Sequence, residues 1–231
     1  MKTIGLIGGL SWESSAEYYR IINQAAQRRL GGLHSAECLM YSFDFGEIEA
    51  LQAAGDWAEA TARMVEAAGR LARGGAGCSV ICSNTMHRMA PEIEAALDLP
   101  LIHIADATAR PIVTVGYKRV GLLGTRFTME QDFYKGRMVE RFGLDVLIPE
   151  SAERELAHRI IYEELVRGEI RAESRRAYQA VIDGLRDAGA QAVILGCTEI
   201  GLLIKPEDSS LPSFDTTALH ALAAVDWALG D

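Results

Sequence analysis

Two segments of the chain end a predicted strand on a side chain that can transfer a proton or act as a nucleophile. Residues 80–87 read VICSNTMH, and residues 193–200 read VILGCTEI. Each is an apolar, β-branched run that breaks into polar residues, and open α/β sheets bind their ligands at the carboxyl ends of such strands. Cys197 follows a glycine and begins a predicted helix, whose N–H groups lower the pKa of a thiol from about 8.5 toward neutrality. We therefore predict that Cys197 is a catalytic thiol.

The matching group in the first segment is Ser83 or its neighbour Cys82. Because successive side chains at a strand end point to opposite faces, we predict that Ser83 faces the site and Cys82 does not. A serine hydroxyl supplies almost no alkoxide near neutral pH, whereas an ordinary thiol supplies some thiolate. Ser83 is therefore predicted to be the weaker group, suited to orienting water or hydrogen-bonding an intermediate. Cys38 and Cys78 lie within apolar strand patterns and are predicted to be packing residues.

The two segments occupy the same place in an internal repeat. Three landmarks recur in the same order, namely GLIG at 5–8 and GLLG at 121–124, Ser83 and Cys197, and the Leu-Pro pairs at 99–100 and 211–212 that lead to Asp106 and Asp215. The step from the first glycine to the reactive residue is 78 positions in the first half and 76 in the second. The spacing predicts a duplicated unit that contributes one reactive residue from each half.

Strands alternate with helices along the whole chain. The predicted strands cover residues 2–7, 38–45, 78–82, 101–104, 119–124, 144–148 and 191–196, and the predicted helices cover 14–30, 57–73, 84–97, 128–142, 152–168, 172–188 and 216–229. This alternation favours parallel sheets with right-handed crossovers. We predict two pseudo-symmetric, doubly wound α/β lobes with the active site in the cleft between them. The first lobe is assigned residues 1–105 plus 212–231, and the second lobe residues 106–211.

Composition excludes several classes of protein. A net charge of −9 gives no electrostatic reason to bind nucleic acid or an anionic membrane. The sequence shows no signal peptide and no apolar stretch of membrane-spanning length. Four cysteines without a CxxC pair indicate a reduced, cytoplasmic protein with no zinc or other metal site. The chain also lacks GxGxxG, a GxSxG elbow, and a lysine placed for pyridoxal phosphate.

Three motifs resemble those of the aspartate/glutamate racemase family, the cofactor-independent superfamily that also holds hydantoin racemases and maleate isomerases. They are the amino-terminal GLIGG at 5–9, CSNTMH at 82–87 and GCTEI at 196–200, and the resemblance covers essentially the whole chain. LLGT at 122–125 and MEQDF at 129–133 are similar to the bacterial branch of broad-specificity L-aspartate/glutamate racemases. The resemblance implies an amino-acid racemase that acts on aspartate or glutamate without a cofactor, commonly as a homodimer.

In that family two thiols flank Cα of the substrate, one taking the α-proton as thiolate and the other delivering a proton to the opposite face. Cys197 matches the second thiol. The position of the first thiol, immediately before Asn-Thr, is Ser83 in this chain, and Cys82 stands one residue early. The substrate-binding positions implied by the resemblance are Leu10, Gln52, Ser83, Asn84, Thr85, Thr198 and Glu199.

Two other functions stay open from the sequence. The runner-up among enzymes is an isomerase or decarboxylase that uses the same cysteine on a dicarboxylate, and the loss of one thiol is compatible with a non-catalytic protein that binds a small ligand. A thiol at a helix start favours the enzyme, because a binding protein has no need of it. The partner of a distal substrate carboxylate is also undecided among Arg88, Arg126 and Arg167.

Overall fold

The computed structural model describes residues 1–230, which form two compact α/β units. The first unit contains Met1–His103 and the segment from His220 onward, and the second contains Ile104–Leu219. The predicted class, two lobes that each hold a parallel sheet flanked by helices, is confirmed. The sequence predicts boundaries after residues 105 and 211, whereas the two units divide after residues 103 and 219.

The first unit has a three-stranded sheet in the order β2-β1-β3. Its strands are β1 (Ile4–Gly8), β2 (Cys38–Ser42) and β3 (Cys78–Ile81). Its helices are α1 (Trp12–Leu30), α2 (Phe45–Ala54), α3 (Trp57–Arg73) and α4 (Ala90–Ala96), with a 3-10 turn at Thr85–Met89. The last helix, α11 (Thr216–Leu229), starts in the second unit and continues into the first.

The second unit has a four-stranded sheet in the order β5-β4-β6-β7. Its strands are β4 (Arg119–Gly124), β5 (Asp145–Leu147), β6 (Ala192–Gly196) and β7 (Ser213–Asp215). Its helices are α5 (Ile104–Val115), α6 (Arg126–Glu130), α7 (Asp132–Phe142), α8 (Ser151–Glu163), α9 (Ala172–Asp187) and α10 (Ile200–Leu203), with 3-10 turns at Leu165–Arg167 and Pro206–Asp208. None of the helices within residues 1–230 is both long and apolar enough to cross a membrane.

Each central strand is buried on both faces because helices cover both sides of the sheet. Along β1, Ile4 and Leu6 pack into one apolar cluster and Ile7 packs into another. This alternation follows from the pleat of a strand, which sends successive side chains to opposite faces. Cys82, which follows β3, packs into the same cluster as Leu6.

Some elements differ from their predicted forms. The helix predicted at 128–142 is two helices that meet at Gln131, and the strand predicted at 101–104 reduces to a single bridge at Leu101. Helix α5 was not predicted, and it contains Pro111 within its length. Proline removes one helical hydrogen bond and signals a break in a sequence, but the apolar face of α5 is buried and this packing overrides the signal.

Strand register confirms the internal repeat. In the first sheet Gly5 pairs with Ser79, and in the second sheet the equivalent glycine of GLLG pairs with Val193. When these partners are aligned, Ser83 and Cys197 both stand four residues further along the chain. The two residues therefore occupy equivalent positions in the two halves, and Cys82 does not.

The repeat extends to the next segment, with one correction. In the first half the backbone N–H of Ser79 donates to the carbonyl of Pro100 at 2.8 Å. In the second half the N–H of Val193 donates to the carbonyl of Pro212 at 2.9 Å. Three residues later the equivalent positions are His103 and Asp215. The predicted match of Asp106 with Asp215 is therefore wrong, because Asp106 lies inside α5 and pairs with an arginine of α7.

Candidate active site

The turn after β3 separates Cys82 from Ser83. Cys82 is fully buried, and its backbone N–H donates to the carbonyl of Ile7 at 2.9 Å. Burial raises the pKa of its thiol far above the ordinary value, which suits an inert packing residue. Ser83 is half-buried, and its N–H donates to the carbonyl of Ile81 at 2.8 Å. Ser83 is thus the more accessible of the two side chains.

The remaining candidate residues of the first unit lie around this turn. Asn84 and Thr85 are buried directly after Ser83. Gln52, on α2, donates from Nε2 to Met86 Sδ at 3.1 Å, which brings it beside the turn. The side chain of Leu10 packs in the apolar cluster that also contains Met86, so only its backbone is left to contact a ligand.

His87 closes the turn from the other side. Its Nδ1 lies 2.7 Å from the carbonyl oxygen of Ser83. Its ring contacts the rings of His103 and His220, with centroids at 4.7 and 5.3 Å. No local spacing in the sequence indicates this cluster, because its members are far apart in the chain.

The glycine loop after β1 is held by serines of α1. Gly9 has φ +71°, and a Cβ there would come within 2.2 Å of the backbone of Phe43, so only glycine fits. Its N–H donates to Ser15 Oγ at 2.8 Å. Helix α1 begins at Trp12, two residues before the predicted start at residue 14, and the Ser14 hydroxyl donates to backbone carbonyls. The loop N–H at Gly9 is therefore engaged within the protein.

In the second unit Cys197 follows β6 and is 8% exposed. Its Sγ donates to Glu199 Oε2 at 3.0 Å, and Thr198 Oγ1 donates to the same oxygen at 2.7 Å. All three side chains are buried. Cys197, Thr198 and Glu199 therefore form one hydrogen-bonded group.

The lowered thiol pKa predicted for Cys197 is wrong. Burial, followed by the charge and the hydrogen bond of Glu199, raises the pKa of the thiol well above its ordinary value. The backbone N–H groups of Thr198 and Glu199 act in the predicted direction but are outweighed. Helix α10 has only four residues, which limits the dipole that it offers. In this state Cys197 is a thiol that donates to a carboxylate.

The two oxygens of the buried Glu199 carboxylate differ in their hydrogen bonding. Among the residues that the structure describes, none hydrogen-bonds Glu199 Oε1. A buried carboxylate oxygen without a donor is costly, and a cationic or N–H-bearing ligand relieves that cost. The same carboxylate is placed to take the thiol proton, since it already accepts the S–H bond.

The three candidate arginines lie in different surroundings. Arg88 stacks over the ring of Trp57, with its guanidinium carbon 4.5 Å from the ring centroid. Arg126 lies 3.8 Å from Glu155, and Arg167 is exposed. Within residues 1–230, no cluster of three or more His, Cys, Asp or Glu side chains is arranged to hold a metal ion.

Comparison with known proteins identifies relatives across the whole chain. The protein-family model for Asp/Glu/Hydantoin racemase matches residues 7–224. A candidate Asp/Glu racemase from Yersinia pestis is 55% identical, with a TM-score of 0.92 over 99% of this chain and 100% of that one. An aspartate racemase homologue from Pyrococcus horikoshii OT3 is 33% identical, with a TM-score of 0.84 over 99% and 100%. An aspartate racemase from Picrophilus torridus, 20% identical with a TM-score of 0.81 over 99% and 94%, shares the fold.

Proposed function

Because this chain belongs to the Asp/Glu/hydantoin racemase family and is an amino-acid racemase, we propose that it interconverts the enantiomers of aspartate or glutamate. The observation that carries the proposal is the buried thiol–carboxylate pair of Cys197 and Glu199 at the end of β6. A thiol that can pass its proton to a neighbouring carboxylate becomes the thiolate that abstraction of an α-proton requires.

In the proposed reaction Glu199 first takes the proton of the Cys197 thiol. The thiolate then removes the proton from Cα of the substrate, which leaves a carbanion stabilised by the α-carboxylate and regenerates the thiol. A proton delivered to the opposite face of Cα gives the other enantiomer. Ser83 orients the water molecule that delivers this proton, and the hydroxide left behind takes up, through solvent, the proton that Glu199 holds, which restores the carboxylate, thiol and water of the resting state. No cofactor or metal takes part in this scheme.

We also propose where the substrate is held. The peptide and side chains of Asn84 and Thr85 bind one end of the amino acid, assisted by Gln52 and the backbone of Leu10. Thr198 and Glu199 bind near the reacting carbon, and the free oxygen of Glu199 suits the substrate ammonium group. The family resemblance further leads us to propose a cytoplasmic homodimer.

The test is an assay of each L- and D-amino acid for racemisation, with chelator present and no cofactor added. We expect activity on aspartate, glutamate or both, and none in Cys197→Ala, whose fold is checked by circular dichroism. Activity in Cys197→Ala within a few-fold of wild type would remove Cys197 from the mechanism. Racemisation of neutral amino acids alone would overturn the acidic substrate class. Conversion of a dicarboxylate without racemisation would support the isomerase or decarboxylase instead.

A further inference from the structure

The imidazole of His87 is hydrogen-bonded to the peptide that joins Ser83 to Asn84. His87 is 1% exposed, and its Nδ1 lies 2.7 Å from the Ser83 carbonyl oxygen. A carbonyl oxygen only accepts hydrogen bonds, so Nδ1 carries the hydrogen and donates it. The ring lies four residues after the carbonyl, where it closes the turn that begins the 3-10 segment.

The His87 ring is packed against other rings. His103 lies with its centroid 4.7 Å away, and His220 lies edge-on at 5.3 Å. His220 is itself fixed at both nitrogens, since Nε2 lies 2.6 Å from the carbonyl of Ile102 and Nδ1 lies 2.7 Å from the hydroxyl of Tyr18. The donor that reaches Ser83 is therefore held by a preorganised, buried array.

Holding one side of a peptide fixes the other side. No cis peptide bond occurs among the described residues, so the Ser83 carbonyl and the Asn84 N–H point in opposite directions in one plane. The Ser83 N–H is also bound, to the carbonyl of Ile81 at 2.8 Å. With Ser83 held at both ends, the Asn84 N–H has one direction, away from the His87 ring.

We propose that His87 is a positioning residue that aims the Asn84 N–H at the α-carboxylate of the substrate. This inference rests on the proposed function, in which Asn84 binds the amino acid. The carboxylate gains negative charge as Cα loses its proton, and a donor fixed in advance stabilises that charge without reorganising. The result is a larger effect on kcat than on KM.

The second half of the repeat has no imidazole at the position equivalent to His87. The position equivalent to His87 is Gly201, which stands four residues after Cys197. A Cβ on Gly201 would lie 2.7 Å from Asp215 Oδ2, so the carboxylate fills the space that the imidazole takes in the first half. The imidazole therefore occurs in the first half, which has Ser83 where the second half has the thiol of Cys197.

The test compares two amide replacements that place nitrogen differently. His87→Asn puts its amide nitrogen near the position of Nδ1, and His87→Gln puts it near the position of Nε2. His87→Phe keeps the ring without any donor. Tyr18→Phe serves as the matched control, because it removes a hydrogen bond of the same buried array and leaves the His87 donor in place.

We expect kcat to fall about 100-fold in His87→Phe and His87→Gln, as for the loss of one fixed donor to a developing oxyanion. His87→Asn should stay within about tenfold of wild type and Tyr18→Phe within about twofold, with KM changing less than kcat throughout. Equal losses in His87→Asn and His87→Gln, or wild-type rates in His87→Phe, would overturn the proposal. If His87→Phe does not fold, the Asn–Gln comparison alone decides.

A binding readout separates this inference from the proposed function. Succinate, a dicarboxylate that cannot racemise, is titrated into each protein while the amide resonance of Asn84 is followed by NMR. The Asn84 resonance should shift strongly in wild type and His87→Asn and weakly in His87→Gln. A wild type that shifts in this way but racemises nothing contradicts the proposed function alone. Racemisation in wild type with no Asn84 shift contradicts the role of His87 alone.

Discussion

The thiol of Cys197 donates a hydrogen bond to the carboxylate of Glu199 at 3.0 Å, and both side chains are buried. The carboxylate has two opposing effects on the thiol. Its charge and its hydrogen bond hold the thiol in the protonated form, yet it is also the nearest acceptor for the thiol proton. The Glu199 carboxylate thus suppresses the free Cys197 thiolate and also accepts the thiol proton during catalysis. Removing it should therefore raise the reactivity of the thiol toward alkylation and lower the rate of racemisation.

Glu199→Gln should therefore make Cys197 a more reactive thiol and the protein a slower racemase. Removing the negative charge lowers the pKa of the thiol, so alkylation by iodoacetamide at neutral pH should become faster. Racemisation should fall about 100-fold because the proton acceptor is gone. Thr198→Val is the control, since it removes the other donor to the same oxygen and keeps the charge. Slower alkylation in Glu199→Gln, or unchanged racemisation, would contradict the relay.

Ser83→Cys should raise racemisation by about tenfold or more, because it adds a group whose pKa can approach the working pH. The equivalence of Ser83 and Cys197 in strand register supports this substitution over any change at Cys82. Cys82→Ala should cost about 1 kcal/mol of stability and leave racemisation unchanged. If Cys82→Ala abolishes turnover and Ser83→Cys has no effect, Cys82 is the second catalytic group.

Hydrogen exchange in D₂O should reveal the inequality of the two groups. Both enantiomers of the free amino acid have equal free energy, so kcat/KM for racemisation is the same from either side. The enantiomer whose Cα–H faces Cys197, which the family resemblance indicates is the L form, should gain deuterium with retention faster than it inverts. The D form should exchange far more slowly. Equal exchange of both forms, no faster than inversion, measured by NMR and chiral chromatography, would indicate two balanced bases.

His220 should make the protein less stable in mild acid. Burial lowers the pKa of its imidazole from 6.5 to about 4. Below pH 6.5 the unfolded chain binds this proton and the folded chain does not, so stability falls as the pH falls toward 4. The full loss from this group is roughly 3 kcal/mol. Urea unfolding of wild type and His220→Phe at several pH values measures it, and an unchanged pH dependence in the variant would refute the assignment.

Local patterns predicted much of the fold. Cys82 is more deeply buried than Ser83 in the turn after β3, and the spacing of GLIG and GLLG predicts both the repeat and the equivalence of Ser83 with Cys197. These features depend on neighbours in the chain. The Leu-Pro pairs also mark the same strand position in each half.

Features that depend on distant contacts could not be predicted. The pKa of Cys197 depends on burial and on where the Glu199 side chain turns back, which no helix-start motif encodes. Tyr18 and His220 meet across 202 positions of chain, so the ring array had no local sign. Asp106 looked like a repeat landmark because its neighbours in sequence resemble those of Asp215, yet its ion pairs are to Arg137 and Arg141.

The return of α11 to the first unit has a consequence for synthesis. Ala224 and Ala228 complete the apolar cluster that contains Leu6, and Ala228 accepts a hydrogen bond from the N–H of Lys2 at 2.9 Å. A ribosome makes the amino-terminal strand first and this helix only after the whole second unit. Because α11 is synthesised after the second unit, the first unit still exposes part of its apolar surface while the second unit folds. The apolar surface of the first unit therefore needs protection by chaperones until α11 has been made.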